Sequence, residues 1–132
     1  MTTAWICSAL LALLVFGLGL GVSLVRGSTK TSYGFTPDPA DRLYKVVRAH
    51  GNATEYVPML AILMLMVGAR NPSAWMEWTM ILAVVARYLQ AVGMVTCRSL
   101  AEVNPLRAGG AVGTYATGLA LVVAALLRAT GG

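Results

Sequence analysis

Arg48, Asn52 and Glu55 stand at positions i, i+4 and i+7 of a stretch that otherwise reads as a membrane span. At roughly 100° per residue they share one face of a helix. Arg87 interrupts the next apolar segment, with Gln90 one turn further along the same face. An ionisable group at such depth costs roughly 2.5–3.5 kcal/mol to insert, so these groups pair, line a wet cavity or bind something polar. Two readings are open. Glu55 and Arg87 can form a structural ion pair between helices, with Asn52 as interhelical glue. Alternatively, the cluster is a binding site. Charge balance favours the site, because Arg48, Arg87 and Arg107 face one acid, and an anionic ligand would complete the set. Tyr115 joins this group from the last apolar segment, where plain packing would explain it equally well. His50 points away from the Arg48 face and reads as interfacial.

These residues need elements that hold them inside a bilayer. The chain has 132 residues, 58% hydrophobic and 11% charged, against about 25% charged in soluble domains. A soluble domain of this size could not hide so much apolar side chain, so lipid is its solvent. The net charge of +5 would raise nucleic-acid binding in a soluble protein. Here positive-inside bias accounts for it, and no nucleic-acid partner is expected. Cys7 and Cys97 fall near opposite membrane faces, so no disulfide is expected. A lone His50 builds no metal site. The first apolar run exceeds the roughly 7–15 residues of a signal-peptide core, with no basic residue before it, and reads as a retained helix.

The pattern predicts an all-α integral membrane protein. It forms one domain over residues 1–132, a bundle of four transmembrane helices at about residues 4–25, 39–69, 75–97 and 109–128. Asp38 reads as the cap of the second helix, Pro39 as its first residue, and Asp41 as complement to its dipole. Pro58 should kink that helix beside Glu55. Arg26, Lys30, Arg42 and Lys45 in the first loop, with Arg98 and Arg107 in the third, outnumber Arg70 and Arg128 at the other end. This places loops one and three in the cytoplasm and both termini outside, and Trp5, Trp75 and Trp78 then share the outer interface. Counted from the outer ends, Glu55 lies roughly 20 Å deep, and Arg87 and Tyr115 roughly 18 Å. Three helices thus bring polar groups to one level in the cytoplasmic half. Gly17 with Gly21, and Gly109 with Gly113, have the spacing of close helix contacts.

The run from Arg48 through His50, Gly51, Asn52, Glu55 and Tyr56 to Pro58 resembles the signature of the MAPEG family, membrane-associated proteins in eicosanoid and glutathione metabolism. The pattern is R-x-H-x-N-x-x-E followed closely by proline. Four helices, this chain length and an arginine in helix three also agree, and the close likeness covers roughly residues 42–94. Gly51 makes the run similar to the bacterial branch, which implies a bacterial inner membrane. The resemblance implies a homotrimer in membrane lipid, with glutathione as co-substrate between neighbouring subunits near the cytoplasmic side. By motif position, Arg48, Asn52 and Glu55 would contact glutathione. Arg87 would match the helix-three arginine, and Arg107 the basic residue at the start of helix four. Gly51 stands where several animal members have a second arginine, and Met94 where they have a tyrosine. Tyr115 does not align securely with their helix-four tyrosine. Arg87 is therefore the candidate for stabilising the thiolate. The implied function is a glutathione transferase or peroxidase acting on a small lipophilic electrophile that arrives through the lipid. The alternatives are a non-catalytic relative and a small proton-coupled four-helix transporter. Such transporters carry their glutamate in the first helix, which here has no charge.

Overall fold

In hydrocarbon, every backbone donor and acceptor must be satisfied within the chain, which leaves helices as the means for these segments to span. The computed structural model describes residues 1–130 and folds them into α1 (Thr2–Thr29), α2 (Arg42–Gly68), α3 (Ala74–Thr96) and α4 (Pro105–Ala129). All four are long and apolar enough to cross a membrane. The protein is thus an all-helical, multi-pass membrane bundle.

Two helix starts differ from the sequence expectation. Asp41, not Asp38, caps α2, its carboxylate accepting from the Tyr44 amide at 2.8 Å. Asp38 instead closes a tight turn, accepting from the Ala40 amide at 2.9 Å, and its carbonyl accepts from the Asp41 amide. Pro39 lies in that turn, and its carbonyl accepts from the Leu100 amide at 2.9 Å. A tertiary contact thus holds these residues out of the helix. α4 starts four residues earlier than expected. Asn104 caps it by accepting from the Arg107 amide at 3.0 Å, and Pro105 takes the first position. α2 runs unbroken through Pro58.

α1 packs on α2 and α3, α4 packs on α3 and α2, and α1 does not touch α4. The main core occupies the half of the bundle nearer the chain ends, where Ala4, Leu11, Met64, Met80 and Leu121 are fully buried. The other half holds only a small cluster of Val25, Leu43 and Val46. Here the loops are tied together: Lys45 Nζ donates to the Cys97 carbonyl at 2.9 Å, and Arg26 donates to the Gly34 carbonyl at 2.8 Å. Cys7 and Cys97 are free thiols.

Close contact between α3 and α4 depends on Gly93 and Gly110 together with Gly113, one member of the expected Gly109–Gly113 pair. A Cβ on Gly110 would stand 2.5 Å from the Gln90 nitrogen, and one on Gly93 2.5 Å from the Arg107 nitrogen. Gly113 approaches Ala86, but Gly109 faces open space, as does Gly17. Small residues at such a crossing let backbones approach, which drives helix association in lipid.

Candidate functional site

Arg87 is the largest fully buried side chain of the bundle, with 1% of its surface exposed. It belongs to an apolar face of α3, between Ala83, Val84 and Ala91, so its charge must be met from neighbouring helices. Nη1 donates to Gln90 Oε1 at 2.5 Å, one turn along α3. Nη2 crosses to α2 and donates to Asn52 Oδ1 at 2.8 Å and to the Asn52 carbonyl at 3.1 Å. The guanidinium carbon lies 5.1 Å from the centroid of the Tyr56 ring, a cation–π contact worth roughly 0.5–2 kcal/mol. Tyr56 in turn shares a 2.8 Å hydroxyl–hydroxyl hydrogen bond with Tyr115 of α4. One buried cation therefore links three helices at one level. Its Nε is buried without a hydrogen-bond partner among the described residues.

Two cavities flank this link. The first, about 580 Å³, opens among the basic ends of α2, α3 and α4. Arg48, Asn52, Gln90 and Arg107 line it, together with Tyr44 and Asn104. No acidic side chain does. Arg48 is exposed and makes no hydrogen bond or ion pair among the described residues. Arg107 donates to the carbonyls of Leu100 and Glu102 at 2.8 and 2.9 Å. Those bonds shape the loop that walls the cavity and leave further N–H donors on its five-donor guanidinium. The second cavity, about 210 Å³, is an apolar cleft between α2 and α4 where Glu55, Tyr56 and Tyr115 meet Met59 and Leu119.

The sequence-predicted residues thus divide. Arg48, Asn52, Gln90 and Arg107 come together around one cavity, with Arg87 buried behind Asn52 and Gln90. Glu55 and Tyr115 line the other and are exposed. The hydrogen bonds of Arg87 go to Asn52 and Gln90 rather than to Glu55. Of the two sequence readings, Asn52 as interhelical glue holds, with Arg87 as its partner. Tyr44 and Tyr56 were missed. Both lay within reach of helical periodicity, since Tyr44 stands one turn before Arg48 and Tyr56 one turn after Asn52. His50 packs on α1, its Nε2 lying 3.3 Å from where a Gly19 Cβ would be.

The model of the MAPEG family matches residues 4–127, nearly the whole chain. The chain belongs to the MAPEG family. Membership supports a membrane protein of glutathione or eicosanoid metabolism. A comparison with curated proteins returned no match. In this MAPEG chain the Arg48–Pro58 run forms about three turns of α2 and contributes to both cavities. Its polar members at Arg48 and Asn52 turn to the larger cavity, and Glu55 and Tyr56 to the smaller.

Proposed function

We propose that the protein binds glutathione in the cavity lined by Arg48, Asn52, Gln90 and Arg107, and uses its thiol against a lipophilic electrophile. The observation that carries this reading is a basic cavity of about 580 Å³ without an acidic side chain, within the 300–1,000 Å³ common for small ligands. Glutathione has two carboxylates and one ammonium. Arg48 and Arg107 suit the carboxylates, since a guanidinium can hold a carboxylate bidentately. Asn52 and Gln90 offer amide contacts, and Arg87 fixes both. A cation beside a thiol lowers its pKa from about 8.5 and raises the thiolate fraction at neutral pH. Arg48 and Arg107 supply that charge directly, and Arg87 does so through the amides it orients.

The thiolate sulfur would attack an electrophilic carbon, forming an S–C bond as the electron pair moves to the acceptor or leaving group. A lipid hydroperoxide is the alternative acceptor: the thiolate attacks the terminal peroxide oxygen and the O–O bond breaks to release the alcohol. A second glutathione then displaces water from the resulting sulfenic acid to give glutathione disulfide. The electrophile would enter from the bilayer. Assembly as a homotrimer belongs to the same reading. Glu55 is exposed at lipid depth, where an uncovered carboxylate is costly, and a neighbouring subunit would cover it and supply its partner. Loops one and three would face the cytoplasm, because six of the eight cations at the two ends lie there.

Thermal unfolding of the detergent-solubilised protein tests the binding step. Glutathione at about one hundred times its Kd should stabilise by about 2.7 kcal/mol. Arg48→Ala should abolish that gain while leaving the ligand-free Tm near its starting value. An unchanged Tm at millimolar glutathione would sink the proposal. Turnover with 1-chloro-2,4-dinitrobenzene and with cumene hydroperoxide then separates transferase from peroxidase.

A further inference from the structure

On the side of the bundle away from that site, a groove runs along α1 where it borders α2 and α3. Its upper part, about 490 Å³, lies at the basic end and is lined by Gly17, Gly21, Leu24, Arg42, Lys45 and Val95, among others. A second part, about 400 Å³, continues past Leu13, Tyr88 and Val92. The two share Gly17, Leu18 and Val95, so they form one channel along α1. From Leu13 to Leu24 it runs roughly 17 Å at 1.5 Å per residue, close to one leaflet of a core about 30 Å thick.

The Gly17–Gly21 pair forms the floor of this channel. A Cβ on Gly17 would meet nothing within 4 Å, and one on Gly21 would meet only a Val46 methyl at 3.6 Å. Gly17 therefore opens space rather than seating a helix of the same chain, while Gly21 adjoins α2 through Val46 alone. The mouth is cationic. Arg42 is exposed and makes no hydrogen bond or ion pair among the described residues. Lys45 commits one of its three N–H groups to the Cys97 carbonyl at 2.9 Å. Neither part of the groove is lined by an acidic side chain.

We propose that this groove binds an anionic phospholipid, with the phosphate at Arg42 and Lys45 and one acyl chain lying along Gly21 and Gly17 towards Tyr88. Basic pockets between transmembrane helices have the chemistry to hold anionic headgroups. Here charge at the mouth and an apolar channel of leaflet length select the same ligand. The site is independent of glutathione, because neither Arg42, Lys45 nor Gly17 lines the cavities at Arg48 and Glu55.

Native mass spectrometry of the full chain, released from mixed micelles containing phosphatidylglycerol or phosphatidylcholine, tests this. Phosphatidylglycerol should be retained roughly tenfold better, and Arg42→Gln should cut its retention about fivefold. Gly17→Phe should remove retention without lowering the lipid-free Tm, because the ring enters open space. Equal retention of the two lipids would overturn the proposal, as would undiminished phosphatidylglycerol on both variants. A Gly17→Phe protein that changes oligomeric mass instead of lipid retention would assign the groove to a second copy of the chain and overturn it as well.

Discussion

The half of the bundle near the chain ends and the half near loops one and three are built on opposite terms. In the first, Ala4, Leu11, Met64, Met80 and Leu121 interlock with none of their surface exposed. In the second, α2, α3 and α4 part around a polar cavity, and tight packing survives mainly where Gly93 and Gly110 bring α3 against α4. Lipid tails are as apolar as leucine, so no hydrophobic force draws these helices together. Close packing and interhelical hydrogen bonds must do so. The difference teaches that stability and ligand chemistry occupy separate levels of one short bundle. The Arg87–Asn52–Gln90 cluster forms the boundary between them.

That division can be broken from either side. The largest loss of stability is expected from Met64→Ala, which leaves a cavity in the packed half and should cost about 2–5 kcal/mol in unfolding experiments. The glutathione-induced rise in Tm should survive it. A loss of that rise would mean that the halves are coupled. Gly110→Val should cost about 1–3 kcal/mol, because its side chain meets the Gln90 backbone. Unlike Met64→Ala, it should also remove the glutathione response by displacing Gln90 from the cavity wall. Tyr115→Phe should have the smallest effect, about 0.5–1.5 kcal/mol for one hydrogen bond. Calorimetric titration should find its glutathione affinity unchanged, since Tyr115 lines the apolar cleft and not the basic cavity. A tenfold weaker affinity would instead join the two cavities into one site.

The four spans were legible in the sequence because lipid demands runs of apolar residues of a fixed minimum length, and the chain has four. The level shared by Arg87 and Tyr115 was legible too, since rise per residue converts position into depth; Tyr56 joins them there. What depth does not reveal is direction. Glu55 and Arg87 stand at similar depth but face different surroundings, and only the packing of α2 on α3 decides that Asn52 meets the guanidinium. Gly109 and Gly110 are adjacent and chemically identical. Which of them faces α3 depends on the rotation of α4, set by contacts distant in sequence. The displaced start of α2 has a similar origin, because the contact of Pro39 with Leu100 spans two helices. The start of α4 was readable, since Asn104 and Pro105 are a standard cap and first residue. Arg107 and the adjacent Gly109 and Gly110 interrupt the apolar pattern there and masked it.

The bonds from Leu100 to Pro39 and from Lys45 to Cys97 have a consequence for biogenesis. Chains emerge from the ribosome amino end first, so Pro39 and Lys45 wait until the rest of α2 and all of α3 have been synthesised before their partners arrive. The clasp between the first and third loops therefore closes after α3 has been made. Since Leu100 also accepts from Arg107, the wall of the basic cavity is assembled only when the fourth span begins to emerge.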